Sequence, residues 1–318
     1  MRASNISFID SVYYHEMEDN AMVRFDRTHS LFPQKLGVFD ERPKQPWYAR
    51  GDLAACAGPA LAIVGTRRAS PDGLAIARAL ARSAAQRGLA VISGLALGID
   101  TAAHAGCIEE GGITVAVLAH GLDKIYPASN TRLAARILEN NGCLISHYPP
   151  QTPSYPHQFL ARNEVIAALA DAVAVIEAPR GSGSLATAAY AQKLKRPVCV
   201  IPGPYDAPLY QGSIDLIRRG AFCVRSLDEI LDDVPALERG AKKRSYRPPT
   251  GARGKDRDIS AAACAVYDAC AASPVSLSID KLSRLTTLNP QDASAAITEL
   301  ILADAIEDLG NGTYRKKI

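Results

Sequence analysis

The stretch Leu61-Ala62-Ile63-Val64-Gly65-Thr66-Arg67-Arg68-Ala69-Ser70-Pro71-Asp72-Gly73 decides the fold. Its first four residues are an apolar run that stops at Gly65, the pattern of a short strand buried on both faces. A polar loop follows, and an Ala/Leu/Arg-rich helical pattern starts at Asp72, with Ser70 and Asp72 as its capping residues. Such a strand–loop–helix unit aims a helix N-terminus and several backbone N–H groups at one place, which suits a phosphate or another anion. Arg67 and Arg68 add full positive charge, and the Arg67 guanidinium fork fits a phosphate. The stretch holds neither G-x-G-x-x-G nor G-x-x-x-x-G-K-[ST], so neither an ordinary dinucleotide site nor a P-loop is expected.

Outward from this unit, strand and helix patterns alternate. Strands are expected at 61–64, 89–92, 113–118, 143–146, 172–176, 197–201 and 221–224. Helices are expected at 72–87, 99–110, 131–140, 160–170, 185–194 and 214–219. The alternation predicts an α/β fold, an extended Rossmann-like parallel sheet with helices on both faces. Right-handed crossovers then bring the loops that follow the strands to one sheet edge, where a ligand binds. The Pro- and aromatic-rich segment around Trp47 reads as a strap packed on this domain, and residues 1–30 show little pattern. Four regions result: an N-terminal extension 1–42, the Rossmann-like domain 43–234, a basic Pro/Gly linker 235–258 expected to be flexible, and a small unit 259–318. Three short helices and a hairpin turning at Gly310-Asn311-Gly312 make that last unit a predicted winged helix.

Composition narrows the class. No stretch of about 18 apolar residues is present, so no membrane span is expected. Residues 1–30 lack the apolar centre of a signal peptide. Seven cysteines without a C-x-x-C pair read as reduced, mostly buried side chains of a cytoplasmic protein. Six scattered histidines show no metal-ligand spacing. The net charge of +3 is uneven: the linker carries +5, leaving −2 on everything else.

Other loops on the same edge carry candidate chemistry. Ser93 and Gly94 stand where a strand ends, with a hydroxyl and open backbone suited to phosphate. Asp100 and His104, four apart, are either an acid–base pair or a structural hydrogen bond, the second being favoured. Ser182, Gly183, Ser184 and Thr187 offer hydroxyl and N–H donors at a second loop-to-helix junction. Glu177, ending the strand before it, either reads a base edge or ribose or holds loop amides. Phe159 beside Arg162 and Asn163 is either a core ring or the stacking residue of a single-strand groove. No catalytic triad or paired carboxylate emerges, so a binding protein rather than an enzyme is expected, with no cofactor.

Together the motifs Gly65-Thr66-Arg67, Ser93-Gly94-Leu95-Ala96-x-Gly98-Ile99-Asp100, Gly121-Leu122-Asp123-x-x-Tyr126-Pro127, Phe159-x-x-Arg162-Asn163, Ser182-Gly183-Ser184-Leu185-x-Thr187 and Pro202-Gly203 resemble the DNA-processing protein A family (DprA, also called Smf). The resemblance covers about residues 43–231 and extends to the C-terminal unit. It implies a dimeric protein that binds and protects single-stranded DNA and helps load RecA recombinase in natural transformation. It implies a DNA-binding pocket at Arg67, Phe159, Arg162 and Asn163, with Ser182, Gly183, Ser184 and Thr187 alongside. Departures are His147 where Glu is usual, Leu160 where Pro is usual, Glu164 where Arg is common, and Ile214 where Asn is common. The alternative is a nucleotide-binding or phosphoribohydrolase-like protein of the LOG type on a related sheet. That family carries Pro-Gly-Gly-x-Gly-Thr-x-x-Glu, and here the loop runs Gly183-Ser184-Leu185-Ala186-Thr187 without the Glu.

Overall fold

A computed structural model of the protein describes residues 22–39, 46–240, 260–273, 276–302, 305–309 and 312–317. The chain divides into two compact units, 1–248 and 249–318.

The first unit begins with β1 (Val23–Phe25), β2 (Trp47–Gly51) and β3 (Ala60–Val64). Then come α1 (Pro71–Gln86), β4 (Ala90–Ser93), α2 (Ile99–Glu109), β5 (Thr114–Val117), α3 (Thr131–Glu139) and β6 (Cys143–Ser146). The second half runs α4 (Pro156–Leu169), β7 (Ala172–Val175), α5 (Gly183–Lys193), β8 (Val198–Val200), α6 (Gln211–Arg218), β9 (Phe222–Cys223), α7 (Leu227–Asp233) and α8 (Pro235–Gly240). Its nine strands lie in the order β1-β2-β6-β5-β4-β3-β7-β8-β9. The seven from β6 to β9 pair parallel, as the alternation predicts. The Trp47 segment is not a strap. It is a strand, antiparallel to β6, and β1 pairs antiparallel with it, so part of the weakly patterned N-terminus joins the sheet.

The central strand β3 alternates between two cores. Ala60, Ala62 and Val64 pack with residues of α4 and α5, while Leu61 and Ile63 pack with α1, α2 and α7. All five are buried, which is why the run reads as uninterrupted apolar sequence. From β3 the chain winds outward through β4, β5 and β6, then returns to the other side of β3 at β7. The reversal opens a crevice at the carboxyl ends of β3, β4 and β7.

Two boundaries differ from expectation. Helix α4 starts at Pro156, four residues before the predicted start, because Pro fits a helix's first turn and the Gln158 side chain accepts the Tyr155 N–H at 2.6 Å. Phe159 is therefore inside the helix and not ahead of it. The expected linker opens with α8, whose Leu237 is buried with Ile230 and Val234; its remainder, 241–258, lies outside the described residues.

The second unit holds α9 (Ala261–Ala272), β10 (Leu277–Ser278), α10 (Ile279–Thr286), α11 (Pro290–Leu302), β11 (Ile306–Asp308) and β12 (Thr313–Lys316). Its strands form an antiparallel sheet in the order β10-β12-β11 around a small core with Val266, Leu282, Ile297 and Leu300. Gly310 and Asn311 of the expected turn lie outside the described residues. All seven cysteines are free, and five are buried. No helix among the described residues is long and apolar enough to cross a membrane.

Candidate nucleic-acid interface

A cavity of about 400 Å³ occupies the crevice. The loop after β3 supplies Gly65, Thr66, Arg67 and Arg68; α4 supplies Phe159, Arg162 and Asn163; the loop after β7 and the start of α5 supply Ser182, Gly183, Ser184 and Thr187. Eleven of the fourteen expected residues thus line one pocket.

Arg67 and Arg68 are exposed. The Arg67 guanidinium carbon lies 4.9 Å from the centre of the Phe159 ring, a cation–π contact at the pocket's edge. Phe159 is half-buried, and the Arg162 guanidinium carbon also lies 5.7 Å from its ring centre. The α5 N-terminus faces the same space. Ser182 caps it, its hydroxyl accepting the Ser184 N–H, and the two serine hydroxyls lie 2.7 Å apart. Exposed Gly183 leaves the first turn uncovered. Asn163 holds this turn to α4 through a 3.0 Å bond from its amide to the Gly183 carbonyl.

Arg162 is a different kind of arginine. It is 4% exposed and donates to the carbonyls of Gly94 and Val117, the latter at 2.7 Å. Burial lowers its pKa to about 10 against the opposing pull of Asp100. Asp100 in turn accepts the Gly94 N–H at 3.1 Å and the Ala96 N–H at 3.3 Å. Burial raises the Asp100 pKa, and Arg162 opposes that rise. The guanidinium forms the pocket floor and ties α4 to the ends of β4 and β5.

Three expected ligand residues stand behind the wall. The Ser93 hydroxyl donates to the Ile63 carbonyl at 2.7 Å and is fully buried. A side chain at Gly94 would collide with the Arg162 guanidinium, so this glycine admits the arginine and offers no cradle to an anion. Glu177 is fully buried, and its carboxylate accepts the Ser70 N–H at 2.9 Å and the Ser70 hydroxyl. Of its two expected roles the structure selects holding loop amides, at the N-terminus of α1, where a carboxylate offsets the helix dipole. Burial first, then Glu177, push the Tyr210 hydroxyl up to about 12.

Asp100 and His104 do not pair with one another as expected. Thr114 Oγ1 donates to the Val91 carbonyl at 2.7 Å, so it accepts from His104 Nδ1, also at 2.7 Å. Burial, with Arg162 second, lowers the His104 pKa to about 3, and the ring is neutral. Sequence reasoning missed the role of Asp100 as counter-charge to Arg162. It also missed Arg180, on the pocket rim and paired with Asp215 at 3.0 Å. The Arg-Gly-Ser-Gly run was the available signal for the latter.

The fold and pocket define a Rossmann-like α/β protein with a cationic, aromatic-edged crevice. A profile of the DNA recombination-mediator protein A family matches residues 24–235, and the chain belongs to that family. Protein Smf of Synechocystis sp. is 32% identical over 306 residues, covering 89% of this chain and 74% of its own. The putative DNA processing protein DprA of Mycobacterium tuberculosis is 45% identical over 175 residues, covering 55% of this chain and 45% of its own. The chain spans about half the length of that relative and of Escherichia coli protein Smf, 45% and 50%. The X-ray structure of DNA processing protein A from Streptococcus pneumoniae aligns with a TM-score of 0.62 at 34% identity, over 66% of this chain and 74% of that one. The Helicobacter pylori protein, described for its single-stranded DNA binding mode, aligns with a TM-score of 0.57 at 27% identity, over 71% and 97%.

Proposed function

We propose that the pocket binds single-stranded DNA and that the protein acts as a homodimeric, cytoplasmic recombination mediator that places RecA recombinase on the strand. The observation that carries this reading is the Arg67–Phe159 contact beside the capped α5 N-terminus. A base stacks on the ring, and the phosphate beside it meets Arg67 and the helix N–H groups. All four bases have a π-face, so this chemistry is tolerant of sequence. The role is binding rather than catalysis. Asp100, the carboxylate in the pocket lining, accepts two backbone N–H groups, and the Arg162 charge opposes the rise of its pKa. The single-stranded DNA binding of the Helicobacter pylori relative and the name of the family support the reading.

We assign the C-terminal unit, read as a winged helix, to protein contact and not to duplex recognition. Its third helix, α11, carries Asp292 and Glu299 and no Lys or Arg, whereas a major-groove helix needs cations. The reading is tested by following RecA ATPase on DNA precoated with a single-strand-binding protein. Wild type shortens the lag before RecA activity, and Phe159→Ala does so weakly. An unchanged lag with wild type would remove RecA loading from the proposal.

A further inference from the structure

We propose that the single-stranded path leaves the pocket across Tyr126, a second base-stacking platform on the loop after β5. The proposal rests on reading the pocket as a single-strand site. Tyr126 is not among the residues lining the pocket, yet its ring centre is 6.0 Å from that of Phe159, tilted by 60°. The side chain is 51% exposed. Single exposed aromatics are common and by themselves mean little. This one sits on a loop fastened at both ends. The Asn130 amide donates to the Leu95 carbonyl and to Thr101 Oγ1, each at 2.9 Å. The Gly121 N–H reaches the Thr152 carbonyl at 3.0 Å, and Asp123 accepts the Gln151 N–H at 2.6 Å. Between these anchors Leu122 is fully buried, while Lys124 and Tyr126 stay at the surface.

The ring is therefore held out to solvent by a fixed backbone, so little order is lost when a flat ligand stacks on it. Its occupant is a nucleobase, because the platform is continuous with the pocket's own aromatic edge. Arg67 meets Phe159, Phe159 meets Tyr126, and exposed Lys124 stands two residues away to meet a phosphate. A strand that stacks one base on Phe159 can lay its neighbour on Tyr126.

The test uses the full-length protein and an oligo-dT of roughly 35 nucleotides, long enough to exceed a typical single-strand site. With 5-iododeoxyuridine in the strand, photocrosslinking is expected to modify the tryptic peptide Ile125–Arg132, whose one aromatic is Tyr126. By fluorescence anisotropy, Tyr126→Leu weakens binding about fivefold or more and Tyr126→Phe retains it. On an abasic strand of equal length the two variants bind alike. Wild-type affinity in Tyr126→Leu, with no adduct in that peptide, overturns the platform and leaves the pocket reading intact. An equal loss on the abasic strand also overturns it, by making Tyr126 structural. If wild-type protein fails to bind the strand, both readings fall.

Discussion

Arg67 is exposed on the loop after β3, whereas Arg162 is buried and directs its N–H groups to two backbone carbonyls. Their replacement should therefore separate binding from folding. Arg67→Ala is expected to weaken single-strand binding by about tenfold, the scale of one charge-assisted contact with stacking. Its thermal unfolding stays within about 0.5 kcal/mol of wild type, as at other exposed positions. Arg162→Met removes the donors to the Gly94 and Val117 carbonyls and the charge that opposes the rise of the Asp100 pKa, at a cost of about 1–3 kcal/mol for each buried acceptor left unpaired. That loss is read as a drop in melting temperature of roughly 10 °C. His104 gives a pH dependence. Its folded pKa, about 3, lies below the ordinary histidine value of 6.5, so the unfolded chain binds the extra proton. The stability is present above pH 6.5 and is lost as pH falls toward 3, by up to about 1.4 kcal/mol per unit. Asp100, raised by burial, acts with the opposite sign, so the comparison is between wild type and His104→Gln. Melting curves from pH 7 to pH 4 should fall less steeply for the variant, and parallel curves would contradict the assignment.

Among the elements, the loop that presents Arg67 depends on the start of α2. Gly98 has φ +78°, and a side chain there would collide with the Thr66 carbonyl. Gly98→Ala should combine backbone strain of about 1–3 kcal/mol with displacement of the Arg67 loop, losing both stability and DNA binding. Gly183 has only the Asn163 amide near the place of an added Cβ, at 3.9 Å. Gly183→Ala should fold like wild type, as melting curves would show. The parallel strands were legible because a strand buried on both faces leaves a continuous apolar run, as in Leu61–Val64. The first turn of α4 was not: Pro156, His157 and Gln158 have no apolar period, and its start is fixed by a side-chain bond to Tyr155. Nor was β2, whose Trp47-Tyr48-Ala49-Arg50 lies beside Pro46 and gains its pairing from β6, far along the chain. Sequence places a polar residue at a strand end without saying which way it points. Ser93 therefore reads as a phosphate donor and Glu177 as either a reader of base or ribose or a holder of loop amides, and their partners are the Ile63 carbonyl and Ser70.

At the scale of the whole molecule, the pocket lies within the first unit, where the sheet reverses direction at β3. Seven parallel strands carry the two loops and hold the helix α4 that form the pocket wall. The central claim is that this crevice selects a single strand. Fluorescence anisotropy with a labelled oligo-dT and a duplex of the same length, across a range of salt, tests it most directly. Roughly three to four phosphate contacts predict a log–log salt slope of about −2 to −3 for the single strand. That slope is expected, with much weaker binding to the duplex. Equal affinity for both forms, or no binding to the single strand at low salt, would contradict it.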